Sequence, residues 1–166
     1  ALQPRSRKPA DVAWKVDEAL KAGYPHFMLK EIHEQKDTIA AELDGREEEL
    51  EEIRLPRGLN RVTLIGCGTA WHAGRVAKVA LEDLAHLPVD AGLGSELRYG
   101  DYPFGKTSLT IAVSQSGETA DTLAAVRDAR KAGSRVLAIT NTKGSTLARE
   151  ADQVLYTRAG LEVGVA

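Results

Sequence analysis

Within six residues, Ser114-Gln-Ser-Gly-Glu-Thr119, the sequence sets three hydroxyls, a side-chain amide and a glycine, with no lysine or arginine among them. Neutral donors on a turn suit an anion such as a phosphate, and the glycine lets the main chain approach it closely. The flanks explain why a turn stands there. Residues 109–113, Leu-Thr-Ile-Ala-Val, form an uncharged, partly β-branched run that suits a strand buried on both faces. Residues 120–132 switch to helical spacing and stop at Gly133. A strand that restarts as a helix leaves open backbone N–H groups at the helix start, and the helix dipole adds to their pull on an anion. The same residues would also serve as an N-cap cluster with no ligand. Three hydroxyls, an amide and a glycine together favour the anion cradle.

A second turn, Gly66-Cys-Gly-Thr-Ala-Trp71, also follows an apolar strand. It lacks the third glycine of a dinucleotide fingerprint, and a nucleoside triphosphate site is not expected. His26 and His33 do not have the i, i+4 spacing of a helical metal pair and read as surface or structural residues. His72 reads as a helix-surface residue and Cys67 as a small packing residue. With one cysteine the chain can form neither an internal disulfide nor a cysteine metal cage. Neither a metal nor a cofactor is expected.

The elements that position these turns follow from periodicity. Residues 10–22 read as a helix with Val12, Val16, Ala19 and Leu20 on one face. A second helix starts near Pro25, and its stripe of Met28, Ile32, Ile39 and Leu43 is expected to pack in a core. A short acidic helix spans 47–54, its run of glutamates a solvated face. Pro56-Arg-Gly58 marks a boundary, which divides the chain into a helical lead-in (1–57) and a domain (58–166). Strands are predicted over 61–65, 89–93, 108–113, 135–140 and 153–157. Helices lie between them over 70–87, 120–132 and 145–150, with a loop or single turn at 94–99. In the 70–87 helix, Val76, Val79, Ala80 and Leu84 are taken to face inward.

This alternation predicts a three-layer α/β/α sandwich. Its sheet would be five-stranded, parallel and flavodoxin-like, in the order 2-1-3-4-5, with an N-terminal helical extension. Strands one and three are then neighbours, and both turns line one crevice at the switch point beyond their carboxyl ends. The 166 residues are 43% apolar and 28% charged, with a formal net charge of −2, which points to neither a nucleic-acid nor a membrane partner. A cytoplasmic setting is the expectation. The ends, Ala1 without a methionine and Ala166 inside Gly160-Leu-Glu-Val-Gly-Val-Ala, read as those of a piece of a longer polypeptide.

Taken together, Cys67-Gly-Thr, Ser95-Glu-Leu-Arg-Tyr, Ser114-Gln-Ser-Gly-Glu-Thr-Ala-Asp-Thr-Leu and Ala159-Gly-Leu-Glu-Val-Gly-Val-Ala resemble the sugar isomerase (SIS) family. Pro25-His-Phe-Met-Leu-Lys-Glu-Ile-His-Glu-Gln resembles the segment that opens the isomerase region of its glutamine-dependent fructose-6-phosphate amidotransferases. The resemblance runs from about residue 17 to 166. It implies the first of two SIS subdomains, which binds fructose 6-phosphate or glucosamine 6-phosphate and is inactive alone. It implies no catalytic residue in this chain. The glutaminase domain, the second subdomain with its proton-moving glutamate and ring-opening histidine, and the Schiff-base lysine would lie elsewhere in the parent, which pairs as a homodimer. By the same resemblance, the hydroxyls of Ser114, Ser116 and Thr119 and the main chain around Gln115 hold the phosphate. Thr69, with Gly68 and Ala70 beside it, faces the sugar, and the backbone at Val165 closes the pocket. The family usually places a serine where this chain has Ala70, which removes one hydroxyl donor. Two alternatives share the motifs: a phosphosugar sensor of a transcriptional regulator, and a deglycase acting on fructosamine phosphates.

Overall fold

The computed structural model describes residues 20–164. These fall into two compact units, residues 20–41 with 159–164, and residues 42–158. The helix expected over 10–22 and the backbone at Val165 lie almost wholly outside the described residues.

The larger unit contains the sheet. Its strands are β1 (Arg61–Gly66), β2 (Val89–Leu93), β3 (Ser108–Val113), β4 (Arg135–Thr140) and β5 (Gln153–Tyr156). All are parallel, in the order β2-β1-β3-β4-β5, as the alternating pattern predicts. β1 and β3 are paired with Ile65 opposite Ala112, so both candidate turns leave the same edge of the sheet side by side. Helices cover both faces. Alternate strand residues Val62, Leu64, Leu109 and Leu137 pack beneath Ala77 and Leu81 of α3 (Thr69–Ala85). On the opposite face Ala112, Val136 and Ala138 pack against Leu123 and Val126 of α5 (Ala120–Lys131) and Leu147 of α6 (Thr146–Glu150). The result is a three-layer α/β/α sandwich, completed by the single turns α2 (Glu47–Glu51) and α4 (Gly94–Leu97).

Two expected faces are corrected. Val76, Val79, Ala80 and Leu84 of α3 point to solvent, and Gly74, Ala77 and Leu81 face the sheet. α3 carries Val76, Val79 and Leu84 on one side and Gly74, Ala77 and Leu81 on another, so periodicity alone offers two inward stripes. Packing selects the one with small residues. A Cβ at Gly74 would stand 3.5 Å from the Leu64 side chain, which measures how closely the helix lies on β1. In α1 (Phe27–Leu43) the stripe of Met28, Ile32, Ile39 and Leu43 is exposed, and the buried residue is Lys30, paired with Glu34 at 3.3 Å. An apolar stripe predicts a helix; it does not guarantee a neighbour to cover it.

The acidic run is exposed, and one of its members is also structural. Arg46, 8% exposed, donates to the Tyr156 carbonyl at 2.6 Å and to Glu49 at 2.8 Å. Glu49 also accepts from Arg158 at 2.9 Å, and that bond above all, with the charge of Arg46, holds its carboxyl below the usual range. Among the described residues no helix is long and apolar enough to cross a membrane.

The two kinds of apolar site separate in a denaturation experiment. Leu147 is 0% exposed, and Leu147→Ala is expected to cost about 2–5 kcal/mol. Leu84 is 82% exposed, and Leu84→Ala is expected to change stability by less than about 0.5 kcal/mol. Urea unfolding of the two variants beside the parent chain checks both.

Candidate functional site

The Ser114–Thr119 turn is built from hydrogen bonds that use its carbonyls and its inner hydroxyls. Ser114 is buried, and its backbone N–H extends the β4 ladder by donating to the Ile139 carbonyl at 3.0 Å. Its Oγ accepts from the Gly117 N–H at 3.1 Å and lies 3.1 Å from the Thr119 Oγ1. The Gln115 carbonyl accepts from the Asn141 N–H at 3.0 Å and the Thr140 hydroxyl at 3.2 Å. The Gly117 carbonyl accepts from the Leu147 N–H at 3.0 Å. Gly117 sits at φ +64°, and a Cβ there would fall 2.2 Å from the Ser145 Oγ, so only glycine fits between the turn and the start of α6.

What remains open is the row of donors. Among the described residues, the backbone N–H groups of Gln115, Ser116 and Thr119 have no acceptor, nor do those of Ala120, Asp121 and Thr122 in the first turn of α5. Ser116 is exposed, and its Oγ accepts from the Glu118 N–H at 3.2 Å, which leaves its own proton outward. Twelve residues of α5 stand behind this end, with Arg130 and Lys131 in the last turn to complement the dipole.

The Gly66–Thr69 turn ends at a second helix start. Gly68 takes φ +56° as the N-cap of α3, and Thr69 follows it, exposed. The N–H groups of Gly68, Thr69 and Ala70 are likewise open among the described residues, and Ala70 is half-buried. The two turns come together as the strand order implies. Cys67 Sγ lies 3.6 Å from Thr122 Oγ1 in the first turn of α5. Cys67 is half-buried there, as packing between turns requires, and the exposed His72 tilts against Trp71. His33 is exposed and stacked on Tyr24, and His26 is exposed. No cluster of three His, Cys, Asp or Glu side chains forms a metal-binding group among the described residues.

Several supporting residues escape sequence reasoning. A Cβ at Gly94 would stand 2.9 Å from the Thr122 nitrogen and 3.1 Å from the Cys67 sulfur, so the start of α4 completes the junction. Asp121 places a carboxylate in the first turn of α5, where it would repel an anion. Arg98 covers it at 2.9 Å, and the guanidinium is held above its ordinary value by that bond. Glu118 turns away from the open donors and accepts from the Thr146 N–H at 2.7 Å. The hydrogen bonds from Thr146 hold its carboxyl below the usual carboxylate range. The one sequence signal for these contacts is a glycine or acid placed next to the hydroxyl-rich turn.

The SIS domain family model matches residues 57–166, which include both turns and the whole sheet. The chain belongs to the SIS domain family. This SIS domain is 52% identical over 176 residues to a glutamine–fructose-6-phosphate aminotransferase (isomerizing) of Symbiobacterium thermophilum, covering 100% of this chain and 29% of that protein. The protein of the same name from Clostridium tetani is 49% identical over 164 residues, with 93% and 27% covered. In three dimensions it superposes with a TM-score of 0.73 on the C-terminal domain of glucosamine-fructose-6-phosphate aminotransferase from Francisella tularensis. That match is 39% identical and covers 89% of this chain and 43% of that one. The chain thus spans a little over a quarter of the length of these full-length relatives and is homologous to part of their isomerase region.

Two outcomes test the geometry. Gly117→Ala is expected to lose more than about 1 kcal/mol of stability, from the left-handed backbone alone, before the Ser145 clash is added. Because the Glu118 carboxyl is depressed in the folded state, the Glu118–Thr146 clamp is complete above the ordinary glutamate range. It is lost as pH falls through the depressed midpoint. A carbon-13 titration of the Glu118 carboxyl should therefore show a midpoint below that of free glutamate, and the protection of the Thr146 amide relative to its intrinsic exchange rate should fall only on the acid side.

Proposed function

We propose that this SIS domain binds a hexose 6-phosphate as the phosphosugar-binding half of an isomerase region that forms glucosamine 6-phosphate from fructose 6-phosphate and ammonia. The observation that carries this reading is the convergence of two open helix starts at the adjacent carboxyl ends of β1 and β3. A phosphate dianion there meets fixed N–H groups at Gln115, Ser116 and Thr119 and the hydroxyl of Ser116. Ser114 and Thr119, bonded to each other at 3.1 Å, hold the turn in register and lend one further hydroxyl proton. Thr69, with Gly68 and Ala70, faces the sugar. Ala70 lacks a hydroxyl, so the sugar is held with one donor fewer at that point.

In this reading residues 1–57 are the helical lead-in and residues 58–166 the binding domain. The domain supplies recognition and orientation; the groups that move protons between sugar carbons and form the Schiff base come from other parts of the parent enzyme. It works without a cofactor, in the cytoplasm, in a homodimer. The chain alone therefore binds fructose 6-phosphate without converting it. A phosphosugar sensor would use the same cradle, but the lead-in at residues 25–35 favours the enzyme.

Isothermal titration with fructose 6-phosphate tests the cradle. A hydrogen bond to a charged group contributes about 1.5–3 kcal/mol, so Ser116→Ala should weaken binding about tenfold or more with unchanged thermal unfolding. Equal affinity in parent and variant would remove the assignment.

A further inference from the structure

Two carboxylates flank the open donors of the Ser114–Thr119 turn, and a neighbouring element draws each of them off. Glu118 accepts from the Thr146 N–H of α6 at 2.7 Å. Asp121 is the second residue of α5. A carboxylate at that position can fold back on the first-turn N–H groups and cap them itself. It does not do so here. Its one partner among the described residues is the Arg98 guanidinium, whose Nη1 donates to Oδ1 at 2.9 Å.

Arg98 reaches Asp121 from a fixed base. It follows Leu97, which is buried with Ile65 and Ala125. α4, the turn before it, lies close against α5: a Cβ on Gly94 would stand 2.9 Å from the Thr122 nitrogen and 3.1 Å from the Asp121 carbonyl carbon. The Arg98 backbone N–H donates to the Gly94 carbonyl at 3.0 Å, and its guanidinium rests over the Tyr99 ring, 5.2 Å from the centroid. Backbone, leucine and ring thus leave the guanidinium beside the carboxylate.

We infer that Arg98 is a positioning residue for the anion cradle: by holding the Asp121 carboxylate, it keeps the protein's own anion off the N–H groups that a ligand phosphate would take. The inference rests on the proposed phosphosugar reading and adds a residue to it. Arg98 touches no ligand and acts through Asp121. The pair is partly exposed, with side-chain exposures of 42% and 37%, and such pairs contribute little to stability. Its loss should therefore appear in binding and not in unfolding. A tethered carboxylate competes with any phosphate, so fructose 6-phosphate and inorganic phosphate should be affected alike.

The test measures the affinity of the 166-residue chain for fructose 6-phosphate and for inorganic phosphate in the parent, Arg98→Ala, Arg98→Gln, Asp121→Ala, the Arg98→Ala/Asp121→Ala double variant and Ser116→Ala. Thermal unfolding, and amide exchange at Ala120, Asp121 and Thr122 without ligand, are followed alongside. Arg98→Ala should bind both ligands about three- to tenfold more weakly, unfold as the parent does and gain protection at those amides. Arg98→Gln, which keeps bulk without the charge, should do the same, and it carries the test if Arg98→Ala does not fold. The double variant should recover parent-like affinity, and Asp121→Ala alone should bind at least as tightly as the parent. Ser116→Ala should weaken both ligands. Parent-like binding by both Arg98 variants, with Ser116→Ala impaired, overturns the inference and leaves the cradle standing. A double variant as weak as Arg98→Ala also overturns it, because Arg98 would then not act through Asp121. No effect of Ser116→Ala on either ligand overturns the phosphosugar reading and this inference with it.

Discussion

The turn after β3 faces its carbonyls inward and its N–H groups outward, and the site depends on that division. The carbonyls of Gln115 and Gly117 are engaged by the end of β4 and the start of α6. The buried Ser114 hydroxyl takes the one N–H that points inward, at Gly117. With both carbonyls engaged these two peptides are pinned, while the N–H groups of Gln115, Ser116 and Thr119 have no acceptor among the described residues. A donor array of this kind needs no lysine, because orientation supplies what charge would otherwise supply. The Arg98–Asp121 pair completes the arrangement by cancelling the one carboxylate in the first turn of α5.

The sheet was legible because its central strands β1, β3 and β4 are short, mostly buried apolar runs, and the edge strands β2 and β5 fall where the alternation with helices places them. Their order followed from the alternation with helices and the handedness of crossovers. Helix faces were harder to read. α3 offers Val76, Val79 and Leu84 or Gly74, Ala77 and Leu81 to the sheet, and hydrophobicity favours the wrong set because bulk was mistaken for burial. The sheet takes the smaller residues because they let the helix lie closer to β1 and β2. α1 failed differently: its stripe is regular, yet the one side chain it buries is Lys30.

At the site, the residues with conspicuous chemistry were legible and those that hold them were not. Ser114, Ser116 and Thr119 declare themselves by type and crowding. Glu118, Thr140 and Ser145 look like ordinary polar residues until the fold brings β4 and α6 against the turn. The contact of Arg46 with the Tyr156 carbonyl is more distant still, at 110 residues. Sequence reasoning sees chemistry within a few residues of itself; contacts at that separation exist only once the topology is known.

The buried Arg46 has a further consequence, which concerns synthesis. Its guanidinium sits on the carbonyl of Tyr156, 110 residues downstream. β1, placed between β2 and β3, likewise waits for neighbours that are both later in the chain. During translation the amino-terminal part must therefore leave the ribosome with a strand lacking both its partners and an arginine held only by glutamates close in sequence. Pairings of such high sequence separation form slowly and leave unpaired strand edges exposed in the interval. The nascent chain is thus most vulnerable to mispairing before β3 emerges, and the Arg46–Tyr156 clasp can close only after β5 has left the tunnel.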